Sequence, residues 1–248
     1  MNLSGISNRS VAGRLLRLPL RLIPPELTLP ILQGPLRGYR WVAASSNHGC
    51  WLGSYEHAKQ RLFARMVHSG DVVFDLGANV GFYTLLAAAK VGDAGRVIAF
   101  EPLPDNVRRI HQHLRLNHIR NVRVMEGAVG LRNGTARFEP HASNAMGKIS
   151  TKGNVNVSLF SLDALTDSKT IPDPALMKVD VEGAEFDVLR GASRMLERAR
   201  PAILLATHGS AVHRECCDFL RSAGYSVLPS DKAVSSIDET DEIIATRA

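Results

Sequence analysis

The sequence predicts an α/β protein built on a doubly wound, mainly parallel sheet. Apolar runs of strand length alternate with segments of helical composition from residue 72 onward. Such alternation is typical of a parallel sheet that is covered by helices on both faces. With 248 residues and a hydrophobic content of 45%, the chain is long enough for one large α/β domain and a short extension.

The first half of the pattern contains three strands. Residues 72–75 are an apolar run that ends in an acid, and residues 82–90 have the Ala- and Leu-rich composition of a helix. Residues 96–101 predict the second strand. The helix expected at 104–117 opens with a proline, which favours a first helical turn, and a third strand follows at 122–126.

The second half repeats the pattern after an interruption. Residues 131–163 contain three glycines and two β-type runs, 135–139 and 156–159, which predict a β-hairpin insertion. The strands that follow are expected at 176–180, 202–207, 225–229 and 242–246, and the helices at 184–198 and 212–223.

The predicted domain boundary lies between residues 54 and 55. Residues 1–54 are interpreted as a basic N-terminal extension or cap, and residues 55–248 as the α/β domain, which begins with a helix. Residues 1–65 carry nine Lys or Arg and two acids, so the net charge of +6 arises in this segment. Its prolines predict irregular structure up to residue 45.

Arg14, Arg17 and Arg21 are spaced as on one side of a helix. A solvated helix face is the favoured interpretation, and weak peripheral membrane contact through this basic arm is the alternative. No apolar run reaches the roughly 20 residues that span a bilayer, and the first residues lack the pattern of a secretory signal. The three cysteines, two of them adjacent, suit no disulfide framework. We therefore expect a cytoplasmic protein.

A glycine turn, DLGANVG at residues 75–81, follows the first strand. In an open α/β sheet, ligands bind beyond the carboxyl ends of the strands, and glycine lets the backbone approach them. The spacing matches neither the dinucleotide pattern nor the phosphate loop. Asp75 would repel a pyrophosphate but suit a cationic ligand. S-adenosylmethionine, which carries a sulfonium and an ammonium group, is the cofactor that this chemistry favours.

The ends of the next two strands complete the predicted cofactor site. Glu101 can accept hydrogen bonds from the two hydroxyl groups of a ribose, and Glu126 begins the turn where an adenine ring would lie. The predicted cofactor-binding residues are Asp75, Gly77, Asn79, Gly81, Glu101, Pro102, Glu126, Gly127, Ala128 and Asp180.

With these motifs the sequence resembles the FkbM family of S-adenosylmethionine-dependent methyltransferases. The matching stretches include FDLGANVGFYTLLAA, VIAFEPLPDN, NVRVMEGAVG, VSLFSLDAL and KVDVEGAEFDVLRGA. The resemblance implies the Rossmann-like class I methyltransferase fold, with seven strands of which the last is antiparallel. It also implies O-methylation, often of sugar hydroxyls or natural products. The family pattern has E-x-H after the fifth strand, where this chain has Ala206-Thr207-His208.

Three titratable side chains are expected to meet beside the cofactor. Asp180 and Glu182 follow the fourth strand, and His208 follows the fifth. An alcohol must lose its proton during methyl transfer, and a general base contributes roughly 10²–10⁴-fold to the rate. We expect His208 or Asp180 to accept this proton and Glu182 to orient the sugar or His208. Glu185 is interpreted as an acid that stabilises the first turn of its helix.

The sequence predicts no metal ion, and it leaves the role of Tyr55 and Glu56 open. The catalytic candidates could bind Mg²⁺ or Mn²⁺, but no tight ligand spacing demands it, so no metal is predicted. Tyr55 and Glu56 could contact the amino-acid end of the cofactor or could serve only in packing or helix capping.

Three other functions compete with transfer to a small-molecule or glycan acceptor. An RNA acceptor would suit the basic arm, but the aromatic content is 6% and no interleaving of aromatic and basic residues is visible. A non-catalytic binding protein is countered by the intact Asp75, Glu101 and Asp180. A nicotinamide-dependent oxidoreductase is countered by the glycine spacing. We therefore expect no nucleic-acid partner.

Overall fold

The computed structural model describes residues 19–140, 147–149 and 153–247. The strands are β1 (Thr28–Pro30), β2 (Arg40–Val42), β3 (Val72–Leu76), β4 (Arg96–Glu101), β5 (Val122–Glu126), β6 (Ala128–Val129), β7 (Gly134–Pro140), β8 (Gly147–Ile149), β9 (Val155–Phe160), β10 (Leu176–Val179), β11 (Ala202–Ala206), β12 (Ser226–Pro229) and β13 (Glu242–Thr246). The helices are α1 (Gly49–Leu52), α2 (His57–Met66), α3 (Phe82–Val91), α4 (Pro104–Leu116), α5 (Leu162–Asp167), α6 (Glu185–Arg190), α7 (Ser193–Ala199) and α8 (Ser210–Ser222). None of these helices is long and apolar enough to cross a membrane.

The central sheet has seven strands in the order β12-β13-β11-β10-β3-β4-β5. The strands β11, β10, β3, β4 and β5 are parallel, whereas β13 is antiparallel to both of its neighbours. This confirms the predicted doubly wound sheet with an antiparallel last strand. The chain leaves β3 toward β4 and β5 and later returns to β10 on the other side of β3. Ligands bind at such a reversal of strand order.

Each face of the central sheet covers its own apolar core. Phe74, Leu76 and Met177 pack on one face with the helices α6 to α8. Val73 and Leu176 pack on the other face with α2 and α3. Because side chains alternate along a strand, this arrangement requires the apolar runs without polar interruption that the sequence shows at buried parallel strands.

The predicted single helix at 184–198 is wrong, because the chain forms α6 and α7 with a break at Gly191. A Cβ atom at Gly191 would come within 2.2 Å of the carbonyl oxygen of Gly130. The Gly191 carbonyl accepts hydrogen bonds from Asp163 N and Ser161 Oγ. These contacts join the break to the first turn of α5, so the Gly191 carbonyl is not available to continue the helix.

The predicted hairpin is part of a second sheet. The runs 135–139 and 156–159 lie in β7 and β9, which pair antiparallel. β8 and β6 extend this pair to four strands in the order β6-β9-β7-β8. Residues 141–146 and 150–152 of the predicted insertion lie outside the described residues.

The N-terminal segment is more regular than predicted. β1 and β2 form an antiparallel pair with Thr28 opposite Val42. A proline is tolerated at the end of a strand on the edge of a sheet, so Pro30 does not prevent the pairing. Trp41 is fully buried and packs in the same core as Phe82. Arg14 and Arg17 of the predicted basic arm lie outside the described residues.

His113 of α4 connects this segment to the glycine turn. Its ring stacks on Trp41 with 3.7 Å between ring centroids. Nδ1 donates to the carbonyl oxygen of Val80 over 2.9 Å, and Nε2 accepts from Val42 N over 3.3 Å. Burial lowers the pKa of His113 to about 4, so the ring is neutral in the folded protein at neutral pH.

We predict that His113 makes the fold sensitive to acid. The unfolded chain takes up this proton below pH 6.5 and the folded chain only near pH 4, so stability is lost over that window as pH falls. The contribution is about 3 kcal/mol. Urea unfolding at about pH 7 and about pH 4.5 should show a smaller loss for His113→Gln than for the native protein.

The matched control is His111→Gln, because His111 is exposed on the same helix. This variant should lose as much stability on acidification as the native protein. Equal losses in the native protein and His113→Gln would contradict the assignment.

Candidate functional site

The glycine turn brings β3 against the end of β10. Gly77 has φ +78°, and a Cβ there would lie 1.9 Å from the carbonyl oxygen of Asp180. Only glycine combines this backbone conformation with so close an approach. Gly77 N and Ala78 N both donate to the carbonyl oxygen of Phe100 at the end of β4. The turn therefore connects the carboxyl ends of three neighbouring strands.

A cavity of about 330 Å³ lies above these strand ends. Of the predicted site residues, the cavity walls include Gly77, Asn79, Glu101, Pro102, Gly127, Ala128, Asp180, Glu182 and His208. The predictions had expected Asp75, Gly81 and Glu126 there as well, and the structure places all three elsewhere.

These three residues lie outside the cavity for different reasons. Asp75 is fully buried in the sheet beneath it. Gly81 faces helix α4, since a Cβ there would lie 3.1 Å from Cγ1 of Ile110. Glu126 is exposed at the end of β5, where it is the register partner of Glu101. Glu101, at the end of β4, therefore lines the cavity, whereas Glu126, at the end of β5, does not.

Glu101 lines the cavity from the end of β4 and is buried, with 4% of its surface exposed. Its Oε2 accepts from Asn79 N over 2.8 Å, and its Oε1 accepts from Leu103 N over 3.0 Å and Asn106 Nδ2 over 3.1 Å. Burial raises the pKa of Glu101 to about 7, although these three hydrogen bonds oppose the shift. The carboxylate is held in one orientation by the turn and by α4.

Asp180 lies among three cationic side chains. Its Oδ2 is 3.4 Å from Lys178 Nζ and 3.7 Å from Lys59 Nζ, and its Oδ1 is 3.9 Å from His208 Nε2. Burial alone would raise the pKa of Asp180, but the charges of Lys178, Lys59 and His208 outweigh it, so the pKa is lowered. Asp180 is therefore an ionised carboxylate at neutral pH.

Lys178 is the most buried of these cations. Its side chain is 4% exposed and lies 3.5 Å from Asp75 Oδ1. Thr84 Oγ1 donates to the other oxygen of Asp75 over 2.6 Å. Burial alone would lower the pKa of Lys178, but Asp180 and Asp75 outweigh it and raise the pKa. Asp75, predicted to touch the ligand, instead compensates the charge of a buried lysine.

A second lysine enters the cavity from α2. Lys59 Nζ lies 2.6 Å from Glu242 Oε1 and 3.8 Å from Glu56 Oε2. The Tyr83 hydroxyl donates to the same oxygen of Glu56 over 2.7 Å. Glu56 and Tyr55 both line the cavity, as do both lysines. Sequence reasoning missed Lys59 and Glu242, because nothing local marks two residues that far apart in the chain as partners.

His208 is surrounded by carboxylates on both ring nitrogens. Nδ1 lies 2.8 Å from Glu185 Oε1, and Nε2 lies 3.5 Å from Glu182 Oε2. The hydrogen bond to Glu185 is the main cause that raises the pKa of His208 to about 9, with burial opposing it and Glu182 and Asp180 adding to it. His208 is therefore an imidazolium at neutral pH.

Glu185 does more than stabilise a helix terminus. It is fully buried, and its Oε1 also accepts from Gly183 N over 2.9 Å. A sequence signal for this role exists: Glu185 precedes the buried Val188 and Leu189 by three and four residues, the spacing of one helix face. An acid on the apolar face of a helix requires a buried partner.

Asp180, Glu182 and His208 could each offer one metal ligand, with the ligand atoms within 4.8 Å of one another. The ammonium groups of Lys178 and Lys59 already neutralise Asp180 and would oppose a divalent ion beside it. We therefore describe the group as an ion-pair cluster and assign no metal ligand.

Comparison with known proteins identifies the family. The model described as "Methyltransferase FkbM domain" matches residues 75–227, from β3 into β12. The chain belongs to the FkbM methyltransferase family. It is accordingly an S-adenosylmethionine-dependent methyltransferase.

Individual relatives agree with this assignment. Hexuronic acid methyltransferase AglP of Haloferax volcanii is 29% identical over 174 residues, which cover 67% of this chain and 68% of that protein. The crystal structure of Methyltransferase FkbM from Methylobacillus flagellatus has a TM-score of 0.53 at 15% identity, covering 80% of this chain and 53% of that one. Precorrin-6y C5,15-methyltransferase from Geobacter metallireducens has a TM-score of 0.50 at 16% identity, covering 77% and 89%. The two structures show a shared fold.

The cavity of this FkbM methyltransferase fits its cofactor. Gly77 leaves the backbone open, and Glu101 offers a fixed carboxylate of the kind that accepts from ribose hydroxyls. The carboxylates of Asp180, Glu56 and Glu242 outnumber the ammonium groups of Lys59 and Lys178 that pair with them. Net negative charge is therefore left for the cationic groups of S-adenosylmethionine. We expect these residues to hold the cofactor.

We predict that Glu101→Gln weakens binding of S-adenosylhomocysteine about 10- to 100-fold, because the amide nitrogen of glutamine cannot accept a hydrogen bond from a ribose hydroxyl group. Calorimetric titration measures the change, and thermal unfolding of the variant checks its fold. Glu126→Gln, at the register partner outside the cavity, should bind as the native protein does. Equal weakening in both variants would contradict the assigned cavity.

Proposed function

We propose that this FkbM methyltransferase transfers a methyl group to an oxygen atom of a sugar, glycan or natural-product acceptor. The observation that carries the proposal is the placement of the charged residues that line the cavity. The buried Glu101 lies at the end of β4, and the cluster of Asp180, Glu182 and His208 follows β10 and β11, on the other side of β3. The first suits a nucleoside, and the second suits a polar, oxygen-rich acceptor.

The relationship to AglP supports a sugar acceptor. That protein is a hexuronic acid methyltransferase, and it matches two thirds of this chain at 29% identity. The cavity of about 330 Å³ is of the size that encloses a small ligand. Membrane contact through the basic arm stays a prediction, because Arg14 and Arg17 lie outside the described residues.

Bound S-adenosylmethionine supplies an electrophilic methyl group on a sulfonium. The task of the chain is then to hold the acceptor oxygen in line at about 3 Å from that carbon. His208 has a position suited to this task, because it lines the cavity and Glu185 fixes its ring. Glu182, 3.5 Å from His208 Nε2, is placed to orient the imidazolium or the acceptor.

The geometry argues against the two bases that the sequence analysis expected. His208 has carboxylates at both ring nitrogens, so neither nitrogen is a free proton acceptor. Asp180 is paired with cations through both oxygens. We therefore propose that His208 donates a hydrogen bond to the acceptor, and that Asp180 acts as the fixed anion between the cofactor and His208.

The function is tested with the purified protein, methyl-labelled S-adenosylmethionine and a panel of hexoses, hexuronic acids and their methyl glycosides. We predict transfer to at least one of these sugars. Asp180→Asn should lower kcat about 10²–10³-fold, because it removes the charge that anchors the cluster. The kcat values are compared at saturating S-adenosylmethionine, because Asp180 also faces the cationic end of the cofactor.

The matched control is Asp187→Asn, which changes an exposed acid on α6 and should retain the native kcat. Native kcat in Asp180→Asn would contradict the role of Asp180. Cofactor binding without transfer to any sugar would contradict the proposed function.

A further inference from the structure

We infer that the acceptor group is a carboxylate, bound by the side chain of His208, and that the product is a methyl ester. The inference rests on the proposed function, since it names the reacting oxygen at the same site. It replaces the sugar hydroxyl that the sequence analysis expected.

The first argument is that the two groups expected to act as the base are already paired. Both nitrogens of His208 face carboxylates, and both oxygens of Asp180 face cations. A hydroxyl group must lose a proton before or during transfer. A carboxylic acid with an ordinary pKa near 4 has already lost it at neutral pH. The site therefore suits an acceptor that arrives ionised.

The second argument is that one cation of the cluster is accessible. The side chains of Lys59 and Lys178 are 7% and 4% exposed, whereas that of His208 is 36% exposed. The buried carboxylate of Glu185 pairs with Nδ1 of His208. Nε2 is therefore the atom that can donate to an anion entering from the cavity.

The third argument is that an anion can enter without adding charge. The side chain of Glu182 is 28% exposed, and its contact with His208 Nε2 is 3.5 Å long. The Glu182 carboxylate can therefore turn toward solvent. The acceptor carboxylate then replaces it at Nε2, and the imidazolium stays paired.

The fourth argument is the wall beside His208. Ala206 lies two residues before His208, and both line the cavity. Its methyl side chain adds neither charge nor bulk to the wall there. An anionic acceptor accordingly meets no further carboxylate from this strand.

The proposed step is balanced in atoms and charge. An oxygen of the acceptor carboxylate forms a bond to the methyl carbon, the carbon–sulfur bond breaks, and its electron pair stays on sulfur. The anion and the sulfonium both become neutral, and no proton moves. A cavity shielded from water favours such mutual neutralisation, because the charged reactants lose more solvation than the neutral products.

The test compares glucuronate and galacturonate with glucose and galactose, using methyl-labelled S-adenosylmethionine. We expect the uronates to be methylated at least about 100-fold faster, because only they carry the ionised oxygen. Mild alkali should release the label as methanol, since it cleaves esters and leaves ethers intact.

Alkali-stable label on any sugar, or preferred transfer to glucose or galactose, would overturn the inference and leave the proposed function standing. Transfer to none of the four sugars by protein that binds S-adenosylhomocysteine would overturn both.

A pair of variants of equal size tests the position of the acceptor. Ala206→Glu adds a negative charge beside His208, and Ala206→Gln adds the same bulk without charge. For the uronate, kcat/KM of the Glu variant should be about tenfold or more below that of the Gln variant, because like charges repel across a short distance. Equal values, with cofactor binding retained in both, would overturn the placement at His208.

Discussion

The ion pairs of the Asp180 carboxylate hold together the charged side chains that line the cavity. Lys178 of β10, Lys59 of α2 and His208 after β11 all approach it within 4 Å. The lysine side chains are nearly inaccessible to solvent, and a buried charge is tolerated only when it is paired. Asp180, together with Glu242, therefore connects Lys59 of α2 to the sheet.

This constraint explains why the site is built from distant parts of the chain. Asp75 and Lys178 are register partners on adjacent strands, and Glu242 joins from the antiparallel β13. Glu185, the first residue of α6, contacts His208. Each carboxylate has a nearby cation, which makes the cluster a network in which no single charge is independent.

Much of the fold could be predicted, because its signals are local. The apolar runs of β3, β4, β10 and β11 and the glycine turn depend on alternation and on turn chemistry within a few residues. The break at Gly191 could not, because it follows from contact with the Gly130 backbone. The pairing of β1 with β2 was missed because prolines suggested irregular structure.

The candidate site could likewise be predicted only where its signals are local in the sequence. Strand-end residues such as Glu101 and Asp180 were found, because parallel strands deliver their carboxyl ends to one edge. Asp75 has the same sequence signature but lies under the cavity, since its side chain faces Lys178. The roles of His208 and Glu185 emerged only when distances showed which carboxylate holds which nitrogen.

The most direct test of this account is the charge state of His208. Histidine-labelled protein, followed by NMR from about pH 6 to about pH 11 and assigned with His208→Gln, reports when the ring loses its proton. The account predicts an imidazolium at neutral pH that titrates with a pKa of about 9. A ring that is neutral at pH 7, titrating at or below the ordinary value of 6.5, would contradict it and restore His208 as a base.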